Sequence, residues 1–544
     1  MKSTEKTQLN NIWMLSREYG ELAGAGGVKD VVCQLAEALA VIPGLAVRAV
    51  LPCYGFIRPV QNGFVPLMDP LDSSRELFFD VDMNYGLEER RERCRVWTAT
   101  SGGVVLYLIE ADRFVEKAGV YTYSDKDSGW ESWKKSGMGH YDYFAMNLLL
   151  QKSSLELMML LGETPDVIHC HDGHTALVPT LIHECQGWRS YFRRTGCLVT
   201  IHNAGMGYHQ EIADLPFAHG LTGLPWQTLS ENRLSGKFDP FLAAGRYAVL
   251  NTVSENYARE LQETEADNAT DGLGHALLER GVNLEGVTNG ICPDFFNPAN
   301  GTEMGLPASY NPADKKDELA GKRTCKEHLL KLVATETEVE GVELYGSLEK
   351  DSMEPLFAFI GRLSEQKGVD HFLLAIEQLF AEYEHGQAVI LGTGGESMEA
   401  AILSLAAKKS LHGRICFLRG FSSKLANLIY AAGDFFVIPS RYEPCGLTDY
   451  IAQLFGNIPV VHHVGGLVKV EDGRTGIAYQ DGSAEALHKA LERSLRLFED
   501  KNTLRSMQLA AVEEIRKKYT WDVVKKQYLK LYNMAKEQRA KERS

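Results

Sequence analysis

The run FFVIPS ends at Ser440, and the next residues, RYEPCGLTDYIAQLF, place one carboxylate, Glu443, and one thiol, Cys445, ahead of a helical pattern. Gly446, Leu447 and Thr448 stand where the helix begins, and backbone amides at a helix start have no intrahelical partner and attract anions. A second apolar run, LFAFIGR, is followed by Arg362 and Lys367. Two cations just ahead of a helix suit a diphosphate, although a solvated loop would carry the same residues. Near the N-terminus, Gly24, Gly26 and Gly27 lead from NIWMLS into another helix. Small residues there let a phosphate approach the backbone, and a tight structural turn is the competing reading.

Two histidine-bearing segments complete the set. His202 closes the run CLVTIHN, and DVIHCHDGH holds His169, His171, Asp172 and His174. The cluster does not read as a metal site. Successive strand residues face opposite sides of a sheet, and no matching carboxylate set follows. AVILGTGGES lacks the full glycine spacing of a dinucleotide-binding turn and reads as a plain turn. Cys445 reads as a packed thiol.

These residues share one position: each follows a strand. NIWMLS, RAVLP, VVLYLIE, DVIHCHD, CLVTIHN and AVLNTVS form one series; LFAFIGR, QAVILGTG, RICFLRG, DFFVIPS and NIPVVHH form a second. Helical patterns separate them. Continuous apolar runs alternating with helices indicate parallel sheets covered on both faces, here in two doubly wound α/β domains. Ligands of such sheets bind beyond the carboxyl ends of the strands. A glycine turn in one domain and a cation pair with a helix start in the other, meeting across a cleft, suit transfer from a nucleoside-diphosphate donor. The weakest patterning, from 297 to 353, is read as the connection, and EVEGVELYGSLEKDSMEP within it as a surface excursion. The aromatic, glycine-containing stretch 120–143 reads as an ordered loop near a site or as a structural cap.

The 544 residues exceed one ordinary core. A net charge of −15 argues against a nucleic-acid partner. No apolar run approaches the roughly 20 residues of a membrane span, and the polar start MKSTEKTQLNN has no signal core. The ten cysteines form no C-x-x-C pair. The expectation is a cytoplasmic chain with reduced thiols, with neither membrane nor nucleic acid as partner.

The order of PDVIHCHDGHTAL, VTIHNAGMGY, NTVSENYARE, GVTNGICPDFFNP, FIGRLSEQKGVD, PSRYEPCGLT and VVHHVGGL resembles the bacterial glycogen synthase and plant starch synthase family over about residues 12 to 533. That resemblance implies a GT-B fold, two Rossmann-like domains facing a central cleft. The expected domains are 1–298 on the acceptor side and 299–520 for the nucleotide sugar, with a helix at 521–544 returning to the first. It implies glucose transfer, with retention, from ADP-glucose to an α-1,4-glucan such as glycogen or a maltooligosaccharide, without cofactor or metal. By position, Glu443, His202, Arg362 and Lys367 match the catalytic residues. Gly26, Gly27, Phe421, Gly446, Leu447 and Thr448 join Arg362 and Lys367 on the donor side. Asp172 and Asn203 fall on the acceptor side. Phe421 stands for the family's usual adenine-stacking tyrosine.

The chain departs from the family pattern at Gly24, where a phosphate-contacting lysine is usual, at Gly173, where tryptophan is usual, and at Ala243, where lysine is common. Lys29 lies nearby, and as a helical residue is expected to point away from the glycine turn. UDP-glucose as donor, a small sugar acceptor, and a weakly catalytic glucan-binding protein are the alternative readings.

Overall fold

The computed structural model describes residues 9–541 apart from 87, 129, 130, 132 and 350. It contains two compact units: residues 1–290 with 521–544, and residues 291–520.

In the first unit, strand Asn11–Leu15 sits inside a sheet. The next strands, Ala46–Pro52 and Val104–Glu110, add in parallel on one side. Val167–His171, Gly196–Ile201 and Val249–Thr252 add in parallel on the other. The strand order therefore reverses between Asn11–Leu15 and Val167–His171. At such a switch point two loops diverge from neighbouring carboxyl ends and leave a crevice between them. The loops here are the glycine turn and the segment beginning at Asp172. An antiparallel strand, Arg91–Ser101, extends the sheet beyond Val104–Glu110.

The second unit repeats the logic. Leu356–Ile360 is flanked by Gln387–Gly392 and then Arg414–Arg419 on one side, and by Phe435–Ile438, Ile458–His462 and Ile477–Tyr479 on the other. Its switch point lies between Leu356–Ile360 and Phe435–Ile438, whose following loops carry Arg362–Lys367 and Ser440–Thr448. Side chains alternate between two cores. Ala358, Val389, Leu391 and Phe436 enter the one beneath helices Ala320–Thr335 and Ser423–Ala432. Phe357, Phe359, Ile390 and Val437 enter the one beneath Val369–Glu382 and Ala484–Glu499. Both faces are covered, which is why the runs are apolar throughout. The stretch read as a surface excursion instead supplies a strand, Val342–Leu348, antiparallel to Arg414–Arg419. It edges the parallel strands, so five of its seven residues are exposed or half-exposed, and the apolar signal is weak.

Helix Trp521–Lys541 belongs to the first unit. The Trp521 indole N–H donates to Gln34 at 2.8 Å, Lys536 pairs with Asp166 at 2.8 Å, and the Tyr532 hydroxyl meets His169 Nδ1 at 3.0 Å. The helix backbone lies directly on strand Gly196–Ile201: a Cβ on Gly196 would come within 2.6 Å of the Ala535 carbonyl. Gly196→Val is therefore expected to lift this helix, lower the melting temperature by several degrees and expose the last 20 or so residues to limited proteolysis. An unchanged cleavage pattern would show that the contact is not required.

Candidate functional site

In the second unit, the loops at the switch point meet. Lys367 Nζ pairs with Glu443 Oε2 at 2.5 Å, and the Ser440 hydroxyl donates to the same oxygen at 2.9 Å. The loops are held by backbone contacts: the Arg441 amide donates to the Gln366 carbonyl at 2.9 Å, and Gly368, at φ +65°, leaves no room for a side chain beside the Pro439 carbonyl. Burial opposes ionisation of Glu443, but Lys367, Ser440 and Lys469 outweigh it and hold the carboxyl below the usual glutamate value. Arg362 is exposed, two residues past its strand.

A second segment supports Glu443 from below. Gly465–Lys469 forms a 3-10 turn after strand Ile458–His462. The Gly466 amide donates to the Glu443 carbonyl at 2.9 Å. A Cβ on Gly465 would lie 1.9 Å from that carbonyl oxygen, and one on Gly466 would lie 2.2 Å from the Cys445 carbonyl oxygen. The paired glycines of HHVGGL are thus explained by backbone lying on backbone. Gly446 is in the left-handed region at φ +76°, and Leu447 precedes the short helix Thr448–Leu454. Phe421, in the loop after Arg414–Arg419, is 72% exposed, a ring free on its surface to stack.

In the first unit, Asp172 takes a left-handed conformation, φ +58°, at the end of its strand. The His202 amide donates to its carboxyl at 2.7 Å. Burial pushes that carboxyl up to about 8, against the amides of His202 and Asn203 and with help from the charge of Glu18. His202 Nε2 lies 2.9 Å from His171 Nδ1, and burial lowers His202 to about 3. His202 is therefore a neutral hydrogen-bonding group. His169, two residues before His171 on the same face of the strand and with its ring centre 4.0 Å from that of His171, bonds Thr200 and Tyr532. Asn203 turns its side chain onto its own loop, accepting from the Gly205 amide at 2.8 Å. The position of Gly173 is not open space, since a Cβ there would lie 2.2 Å from the His209 carbonyl oxygen. Among the described residues no group of three or more His, Cys, Asp or Glu is placed to hold a metal ion.

The glycine turn holds an internal anion. Buried Glu18 accepts the amides of Ala25 and Gly26 at 2.7 and 3.2 Å, and the Tyr121 hydroxyl donates to its other oxygen. Gly27 precedes helix Val28–Ala40. Lys29 does not point away from the turn. Its stem crosses Gly24, where a Cβ would lie 2.3 Å from Lys29 Cδ, and its ammonium pairs with Glu21 at 2.6 Å. Helical side chains lean toward the helix N-terminus, which carries Lys29 back over the loop.

Residues 11–278 match the family model described as the starch synthase catalytic domain, and residues 343–511 match glycosyl transferases group 1. A glycogen synthase from Geotalea uraniireducens is 31% identical over 535 residues, covering 96% of this chain and 98% of that protein. The chain belongs to the glycogen/starch synthase family. A family member from Vibrio parahaemolyticus is 28% identical, covering 96% of this chain and 98% of its own. The catalytic domain of starch synthase IV from Arabidopsis thaliana, solved with ADP and acarbose bound, superposes with a TM-score of 0.76 at 26% identity, covering 97% of this chain and 99% of that one. The sucrose-phosphate synthase of Thermosynechococcus elongatus shares the fold, with a TM-score of 0.56 at 17% identity and coverage of 96% and 98%. The fold of this family member is therefore GT-B.

Of the residues singled out in the sequence, the structure joins Lys367 with Glu443, and Asp172 with His202 and Asn203. It engages the Gly26 amide with Glu18. Sequence reasoning missed Ser440, Lys469, Glu18 and Tyr121. Ser440 and Glu18 each stand one to three residues past a strand in a motif-bearing loop, which is a usable signal. Tyr121 lies in the aromatic stretch 120–143 that the sequence offered as a loop near a site or a cap, a signal that named no residue; Lys469 reaches the site from a distant segment and carried none.

Proposed function

We propose that this chain transfers glucose from ADP-glucose to the non-reducing end of an α-1,4-glucan, with retention of configuration. The observation that carries the reading is the Lys367–Glu443–Ser440 cluster at the switch point of the second sheet. A departing nucleoside diphosphate gains charge in the transition state, and fixed cations and amides stabilise it most at that moment. In this reading Arg362, Lys367 and the amides of Gly446, Leu447 and Thr448 take the diphosphate. Glu443 holds sugar hydroxyls and favours positive charge at the reacting carbon, and Phe421 stacks on the base. His202 donates or accepts a hydrogen bond at the sugar, Asp172 and Asn203 serve the acceptor side, and Gly26 and Gly27 face the distal phosphate. The ADP and acarbose bound to the Arabidopsis relative support the choice of donor and acceptor classes. The domain roles follow, with the acceptor on the first unit and the nucleotide sugar on the second.

The test is incubation of purified protein with ADP-glucose or UDP-glucose and glycogen, maltotriose or no acceptor. The expected result is ADP release matched by chain growth with α-linked glucose. Release from UDP-glucose alone overturns the donor assignment, and no release from any pair overturns the reading.

The glycine turn gives a further expected outcome. Because Glu21 holds the Lys29 ammonium, Lys29→Ala should leave ADP affinity, measured by calorimetry, within about twofold. Gly24→Lys alone would collide with the Lys29 side chain, whose Cβ itself would lie 2.8 Å from the added Cβ, so the informative variant is Gly24→Lys with Lys29→Gly. An added charge-assisted contact is worth about 1.5–3 kcal/mol, so ADP should bind about tenfold to a hundredfold tighter. Loss of ADP binding in Lys29→Ala would instead identify Lys29 as the phosphate ligand.

A further inference from the structure

Beneath the Glu443 turn lies a cation that the proposed reaction does not use. Lys469 is buried, its side chain 5% exposed. Its ammonium donates to the carbonyls of Cys445, Gly446 and Gly466 at 2.5, 2.9 and 3.1 Å. It stands 3.2 Å from Asp449 Oδ2 and 4.4 Å from the centre of the Tyr450 ring. Asp449 is completely buried, and burial raises its carboxyl to about 6 against the pull of Lys469.

The direction of those bonds matters. A trans peptide is planar, with its C=O and N–H on opposite sides. The Cys445 carbonyl shares a peptide with the Gly446 amide, and the Gly446 carbonyl shares one with the Leu447 amide. One ammonium that draws both carbonyls toward the interior turns both amides the other way. Gly446, at φ +76°, is the residue that lets two successive carbonyls face one cation. The third bond, to Gly466, ties this turn to the segment whose next contact is the Glu443 carbonyl itself.

We propose that Lys469 is a positioning residue for glucosyl transfer: by gathering the carbonyls of Cys445 and Gly446 from below, it aims the amides of Gly446 and Leu447 at the donor's diphosphate and fixes Glu443 beside them. The proposal rests on the reading of this turn as the donor site. Three donors on one ammonium match three carbonyls, so the device needs no contact between Lys469 and the substrate. Asp449 neutralises the buried charge.

The test compares Lys469→Met with Asp449→Asn, each checked for folding by circular dichroism and thermal melting. Folded Lys469→Met should bind ADP at least tenfold more weakly by calorimetry, and its kcat with ADP-glucose and maltotriose should fall at least tenfold. Asp449→Asn leaves the carbonyl bonds in place and should keep both quantities within threefold. Folded Lys469→Met with ADP affinity and kcat within threefold of the parent overturns the proposal. If Lys469→Met does not fold, Asp449→Asn decides. A tenfold loss in that folded variant shows that the ion pair, not the carbonyl clamp, holds the turn, and overturns the proposal. A parent protein that neither binds ADP nor transfers glucose sinks the donor-site reading together with this one, whereas an active parent with an indifferent Lys469 sinks this one alone.

Discussion

Lys367→Ala should lower turnover at saturating donor by about one to three orders of magnitude, through lost stabilisation of the leaving group. The melting temperature at neutral pH should fall by no more than a few degrees: Lys367 is half-buried and outside the cores, but the buried Glu443 loses the cation that holds its carboxyl down. A second readout separates this role from a general weakening. Burial alone would raise Glu443, and Lys367 is the largest influence holding it down. Without Lys367 the Glu443 carboxyl should take up its proton at higher pH, so the acid limb of the pH–rate profile should move upward. Arg362→Ala should show the loss of turnover without that displacement. Near-normal kcat in both variants would remove the pair from the mechanism.

The second large effect is expected at a residue with no side chain. Gly465 is at φ +51°, and a Cβ there would lie 1.9 Å from the Glu443 carbonyl oxygen. Gly465→Ala incurs about 1–2 kcal/mol for the left-handed backbone and about 1–3 kcal/mol for the collision. The melting temperature of the second unit should fall by roughly 5–15 °C. Because the displaced atom belongs to Glu443, turnover of the folded variant should fall by about a hundredfold. Gly473 supplies the control: it has a similar φ of +73° but no atom within 4 Å of its Cβ position. Gly473→Ala should lose only the backbone term and keep its turnover. Equal behaviour of the two variants would show that the close approach to Glu443 yields freely.

Both parallel sheets were legible because their strands are covered on two faces, so LFAFI and QAVIL advertise themselves as unbroken apolar runs. Arg91–Ser101 did not. Its inward residues Glu92, Cys94 and Val96 alternate with exposed Arg91 and Arg93, and one apolar face shared with charges reads as noise. Val342–Leu348 was hidden for a related reason, with charged and glycine positions along a strand that only the two-residue strand Glu338–Val339 flanks on its outer side. At the site, Glu443 and Lys367 were readable from motifs that follow strands. What they touch was not, because a chain position says little about which distant segment folds beneath it. Lys29 shows the limit in miniature. Its helix position was evident, but the backward lean of helical side chains carried it across Gly24 to Glu21.

The helix Trp521–Lys541 has a consequence in time. Strand Gly196–Ile201 and His169 are made early, yet the helix that lies on them is translated after all of residues 291–520. At about 5–20 residues per second, translating residues 291–520 alone takes roughly 10–50 s on the ribosome. During this interval the nascent first unit exposes the strip that Tyr528, Leu531, Tyr532 and Ala535 will later bury. The second unit is one uninterrupted segment and can reach its final fold while the first is still waiting. The unit that begins first is therefore the one that finishes last, and a nascent chain stalled before Trp521 would carry a complete second unit on an uncovered first.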